Sequence, residues 1–142
     1  MRCIITGGTG FVGSHVVEIA VRRGFDVLCP VRDTASIGYL KGIPVKTCGL
    51  DTLESELRKS SETSYFIHVA GATRASTPSE YHSANVDFTR RLIDMLITTG
   101  ASVNLKRFVL VSSQAAAGPS KKDYEPVSED DLCSPISDYG RS

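Results

Sequence analysis

The sequence predicts an α/β fold built on a doubly wound parallel sheet, and three observations carry that expectation. Apolar runs of strand length recur along the 142 residues, separated by stretches with helical spacing. The runs are nearly continuous rather than alternating, as strands are when helices cover both faces of their sheet. The first run passes directly into TGGTGFVGSH, where Gly7, Gly8, Gly10 and Gly13 stand between an apolar strand and an apolar helix. A chain of this length can bury one ordinary core, so a single domain over residues 1–142 is expected.

Each element has its own signal. Arg2 to Thr6 reads as a buried strand, and Phe11 to Arg23 as a helix whose apolar face carries Val12, Val16, Val17, Ile19 and Ala20. Gly24 stops that helix, with Arg22 and Arg23 at the negative end of its dipole. Asp26 to Val31 is a second strand and Pro44 to Cys48 a third. The run Asp51-Thr52-Leu53-Glu54 opens a helix into Leu57, with Asp51 favoured as its cap. Tyr65 to Val69 is a fourth strand. Thr77-Pro78-Ser79-Glu80 combines an N-cap, a proline at the first helical position and a capping-box glutamate. The helix it opens repeats apolar residues at Tyr81, Ala84, Phe88, Leu92 and Leu96 and stops at Gly100. Arg107 to Val111 is the fifth strand, and Gly118 to Ser137 reads as a long polar loop in which Lys121, Lys122 and Asp123 are solvated. Strands joined by helices of this length imply right-handed crossovers and a parallel sheet.

Composition excludes several classes of partner. Sixteen basic and sixteen acidic side chains give a formal charge of zero, which provides no electrostatic footprint for nucleic acid or an anionic membrane. No apolar run approaches a membrane span, and no signal-peptide pattern opens the chain. Cys3, Cys29, Cys48 and Cys133 lack metal-ligand spacing, so no metal site is expected, and they read as reduced thiols of a cytoplasmic protein.

In a parallel sheet, ligands bind beyond the carboxyl ends of the strands. The glycines alone are equally consistent with a tight surface turn. Their spacing, G-x-x-G-x-x-G through Gly7, Gly10 and Gly13, or G-x-G-x-x-G from Gly8, gains meaning from the strand before and the helix after. One glycine permits the turn, one lets the backbone approach a diphosphate, and one lets helix and strand pack closely. Gly7, Gly10, Phe11, Val12 and Gly13 are therefore expected at a dinucleotide, whose diphosphate meets the positive end of the helix. After the second strand, Arg32 suits the 2′-phosphate of NADP and Asp33 the 2′-hydroxyl of NAD. Arg32 comes first, and NADP is favoured over NAD.

Five segments together resemble a known family: TGGTGFVG, HVAGAT at 68–73, the Asn85-Val86 pair in a helix, RFVLVSS at 107–113, and DYGRS at 138–142. The sequence is similar to the extended short-chain dehydrogenase/reductases, which include sugar-nucleotide epimerases and dehydratases. The Pro30-Val31-Arg32-Asp33 segment looks more like the NADP-dependent dihydroflavonol-reductase branch. The resemblance implies a Rossmann-type fold and hydride transfer at a secondary alcohol or ketone carbon of a small-molecule substrate. It makes Ser113, rather than Ser112, the serine that hydrogen-bonds the reacting oxygen, and Tyr139 the general acid/base. It sets Ala70 and Gly71 where the fourth strand ends against the cofactor, and Asn85 near the site. Relatives carry an acid after the third strand near the adenine, a place that Asp51 can take. The family's lysine, four residues beyond the tyrosine, would follow Ser142, where the chain ends. The sequence is accordingly expected to be the N-terminal portion of a longer protein, inactive by itself, without the sixth strand and substrate lobe.

Two other classes compete with an enzyme. A dinucleotide-sensing regulator would bind without turnover, and Tyr139 argues against it. An interaction role would use the helix at 78–99, whose outward Ile93 and Ile97 suit a homodimer. His68 reads as a packed strand-end histidine. Thr73 and Arg74 can face a substrate's anionic end or simply solvent.

Overall fold

The computed structural model describes residues 1–59, 63–120 and 125–142; the expected solvated loop residues Lys121, Lys122 and Asp123 lie outside them. Its five strands are β1 (Arg2–Thr6), β2 (Asp26–Val31), β3 (Lys46–Gly49), β4 (Thr63–His68) and β5 (Arg107–Leu110). All neighbouring pairs are parallel, in the order β3-β2-β1-β4-β5. The order reverses between β1 and β4, which makes their carboxyl ends the switch point of the sheet. The longer helices are α1 (Phe11–Arg22), α2 (Leu53–Lys59) and α4 (Phe88–Thr98); the short ones are α3 (Pro78–Tyr81), α5 (Gln114–Ala117) and α6 (Asp138–Arg141).

The chain forms two compact units, residues 1–70 with 90–111 and residues 71–89 with 112–142. The first contains the sheet. Alternate residues of its central strands, Cys3 and Ile5, then Val27, Cys29 and Val31, join Val17 and Ala20 of α1 in one apolar cluster. On the opposite face Ile4, Leu28 and Phe66 are equally buried, and the Phe66 and Phe108 rings stack at 5.3 Å. Full burial of such a side chain is worth about 1.5–3 kcal/mol. The strands are apolar at successive positions because both faces are covered.

Boundaries follow local chemistry. β1 and β2 have the expected limits. β3 starts at Lys46 rather than Pro44, because Pro44 has no N–H to give the ladder and the Val45 N–H turns back to the Ile43 carbonyl at 2.8 Å. α1 ends one residue early, with Arg23 as C-cap and Gly24 following at φ 79°.

In the second unit, Thr77 caps α3 by accepting from the Glu80 N–H, with Pro78 at the first position, as expected. The reciprocal glutamate bond differs: Glu80 Oε2 accepts from Ser76 N–H at 2.7 Å, one residue before the cap. The expected single α-helix is interrupted. His82–Asp87 forms a wider π-helical segment after α3; in the first unit, Gly100 follows α4 at φ 76°. α6 packs against both α3 and α5.

Candidate functional site

The glycine loop closes on itself in the first unit. Gly7 has φ 73°, which a side chain disfavours, and its carbonyl accepts from the Gly10 N–H at 3.0 Å. A Cβ on Gly13 would run into that same Gly7 carbonyl, and one on Gly8 into Cys29 Sγ. A Cβ on Gly7 would lie 2.6 Å from the Ala70 nitrogen. The loop thus has no room for side chains beneath it. Gly10 is the N-cap of α1 and supplies no side-chain cap, and no acidic residue occupies the first turn. The Phe11, Val12 and Gly13 N–H groups precede the first intrahelical bond, which runs from Ser14 N–H to the Gly10 carbonyl. Glycine backbone against a helix N-terminus free of acids fits a diphosphate. The side chains of Phe11 and Val12 are exposed, so any contribution to a diphosphate comes from their backbone.

The residues after β2 and β3 divide differently from expectation. Asp33 Oδ1 accepts from Ala35 N–H at 2.9 Å and so is engaged in its own turn. Arg32 is exposed and makes no hydrogen bond or ion pair with the described residues. Asp51, expected as the cap of α2, does not cap it: α2 starts at Leu53, and Asp51 makes no capping bond, its Oδ1 lying over Gly49. Thr52 Oγ1 also turns away from α2, donating to the Gly49 carbonyl at 3.1 Å.

At the end of β4, His68 is buried beside Phe108 and lies 2.6 Å from Thr6 Oγ1. Burial lowers its pKa by disfavouring the imidazolium. All four cysteines are free. Burial pushes the Cys3, Cys29 and Cys48 thiols up to about 11, so they remain protonated at neutral pH. Among the described residues no group of three or more His, Cys, Asp or Glu could hold a metal ion.

The second unit gathers the remaining candidates. Ser113 is the N-cap of α5, and its Oγ accepts from Ala115 N–H at 3.2 Å. That bond uses a lone pair and leaves the hydroxyl proton to donate. A Cβ on Gly140 would collide with the Ala115 carbonyl, so glycine there lets α6 lie directly on α5. Tyr139 precedes Gly140, half-buried, with its ring 5.9 Å from that of Tyr81. Asn85 lies in the π-helical segment and is almost saturated. Its Oδ1 accepts from Ala72 N–H at 2.7 Å, and its Nδ2 donates to the Ala72 carbonyl at 3.1 Å and to Ser142 Oγ at 2.8 Å. Ser142 Oγ in turn donates to the Tyr139 carbonyl at 2.8 Å. Gly71 sits under the same amide, where a Cβ would lie 3.3 Å from Asn85 Oδ1.

Residues 3–142 match the NAD dependent epimerase/dehydratase family. The chain belongs to this family. Its relatives include epimerases and reductases. The ceramide reductase of Caulobacter vibrioides (strain NA1000 / CB15N) is 34% identical over 122 residues, which is 84% of this chain and 37% of that protein. The UDP-glucose 4-epimerase of Lactobacillus helveticus is 30% identical over 152 aligned positions, covering 100% of this chain and 44% of that protein. The solved structure of MoeE5 in complex with UDP-glucose and NAD superposes with a TM-score of 0.76 at 27% identity, over 99% of this chain and 45% of that one. The chain therefore spans less than half the length of these relatives, and the extended short-chain dehydrogenase/reductase resemblance holds.

Three features of this family member have no motif in the sequence. The Thr6–His68 bond joins residues distant in sequence, and only the adjacency of β1 and β4 brings them together. The exclusion of Cβ at Gly140 depends on how α6 meets α5. The saturation of Asn85 depends on the π-helical segment; the sequence had marked the residue but not its partners.

Proposed function

We propose that this chain carries the dinucleotide site and the proton-transfer pair of a dihydroflavonol-reductase-like oxidoreductase acting at a secondary alcohol or ketone carbon, with NADP as the preferred cofactor. The observation that supports it most is the glycine loop, which has no room for a Cβ at Gly7, Gly8 or Gly13 and leads into an uncapped, acid-free helix N-terminus. Gly7, Gly10, Phe11, Val12 and Gly13 hold the diphosphate through backbone, and Ala70 and Gly71 line the end of β4. Asp51, free of a capping role, takes the adenine. Arg32 meets the 2′-phosphate, a reading favoured by Asp33 being engaged in its own turn. Bound there, the nicotinamide supplies or accepts the hydride.

Ser113 donates its free proton to the substrate oxygen, polarising it. Tyr139 gives or takes the proton that accompanies hydride transfer. An ordinary tyrosine titrates near ~10, so the phenolate needs a cation beside it. Arg141 does not serve, because it is paired with Asp138 at 2.8 Å. A homodimer through the exposed Ile93 and Ile97 of α4 accompanies this reading.

A second reading, an NAD-dependent sugar-nucleotide epimerase or dehydratase, is favoured by the Lactobacillus epimerase, of which 44% aligns with this chain at 30% identity. The experiment that tests the enzyme is Tyr139→Phe in the full-length protein. Turnover is measured with NADPH and ketones, and with NAD and UDP-glucose. A fall of about 10²–10⁴-fold in kcat with cofactor affinity retained is expected. Undiminished turnover would remove Tyr139 from the reaction, and the substrate that reacts separates the two readings.

A further inference from the structure

Thr6 and His68 face each other across the carboxyl ends of β1 and β4, at the switch point of the sheet. Both are polar, and each is only 1% exposed. Thr6 Oγ1 lies 2.6 Å from His68 Nδ1 and accepts from Ala70 N–H at 3.3 Å. A threonine hydroxyl has one proton. The arrangement that leaves it unwasted sends that proton to Nδ1, with the imidazole neutral and its own hydrogen on Nε2. The lowering of the His68 pKa by burial agrees with a neutral ring.

The Ala70 peptide held in this way is the surface on which Gly7 rests. A Cβ on Gly7 would lie 2.6 Å from the Ala70 nitrogen and 2.9 Å from the Val69 carbonyl carbon. The Gly7 carbonyl in turn accepts from Gly10 and abuts Gly13 in the first turn of α1. A shift of Ala70 is therefore passed through Gly7 to the N–H groups that open α1. The two strands do not need this bond for their pairing, since the β1–β4 ladder runs along the whole of β1.

We infer that Thr6 and His68 are a positioning pair for the dinucleotide loop: the Thr6 hydroxyl, held by His68 Nδ1, fixes the Ala70 peptide against which Gly7 is set. This rests on the loop being a dinucleotide site. Neither side chain touches the cofactor; both act through Ala70 and Gly7.

The test is NADPH affinity in the full-length protein, followed by nucleotide fluorescence, beside the thermal midpoint of each variant. Thr6→Val keeps the shape and deletes the hydroxyl; Thr6→Ser keeps the hydroxyl. NADPH binding about tenfold weaker in folded Thr6→Val, as expected when a buried donor loses its partner, with affinity restored in Thr6→Ser, supports the pair. Unchanged affinity in Thr6→Val with only a lowered midpoint would overturn it, because the bond would then serve folding alone. Should Thr6→Val fail to fold, His68→Asn, which offers an acceptor near Nδ1, is compared with His68→Leu. Retention by Asn and weakening by Leu support the pair, and equal affinities overturn it. Failure of the unaltered protein to bind either NADPH or NADH would instead remove the dinucleotide reading, and the inference with it.

Discussion

Burial withholds water from the imidazolium form of His68 and lowers its pKa below the ordinary 6.5. An unfolded chain takes up that proton at the ordinary value, whereas the folded one resists it. The unfolded state therefore binds more protons as pH falls through and below that value, and folding stability is lost. The neutral ring costs nothing above the ordinary pKa, so the effect is confined to the acid side. A urea midpoint that drops between about pH 7 and about pH 5, and drops less in His68→Asn, is expected; identical pH profiles for the two proteins would contradict it. Side chains at this scale were unevenly legible. The glycines could be read because a run of them between strand and helix has few physical uses. His68 was read correctly as packed at a strand end, but its partner Thr6 lies in another strand and no local spacing could indicate it. Asp51 misled because an acid just before an apolar run resembles an N-cap. Thr52 stands between it and Leu53, the first position of α2, so Asp51 lies one residue before the cap position.

Among the elements, those with strong local signals came out as read. β1 and β2 carry the apolar runs Cys3 to Ile5 and Val27 to Val31, and a glycine follows the one strand and a charge the other. The Thr77 cap is legible because its chemistry is complete within four residues. Thr77→Ala leaves the Glu80 N–H without its acceptor and should lower unfolding stability by about 1 kcal/mol, read from denaturant midpoints at unchanged slope; no change would mean that α3 is held by its packing alone. The π-helical segment was not legible. Asn85 owes its partners to that segment, as π-helical turns often serve functional sites. Its amide joins the Ala72 backbone to Ser142, which bonds the Tyr139 carbonyl.

For the whole molecule, the five-stranded parallel sheet was legible because its pattern of apolar runs and helices repeats along the chain, and parallel strands need crossovers. The division into two compact units was not, since the second is assembled from residues 71–89 and 112–142, segments remote in sequence. Family membership follows from the match over residues 3–142, while relatives with both epimerase and reductase names leave the substrate to experiment. The account stands on the glycine loop as a dinucleotide site with Arg32 choosing the cofactor. Its most direct measurement is the titration of the full-length protein and of Arg32→Ala with NADPH and NADH, followed by nucleotide fluorescence. Saturable binding that favours NADPH, with the preference lost in Arg32→Ala and NADH affinity unchanged, is the predicted result. Equal binding of the two, or tighter binding of NADH by the unaltered protein, would contradict the role given to Arg32, and no saturable binding by folded protein would contradict the site itself.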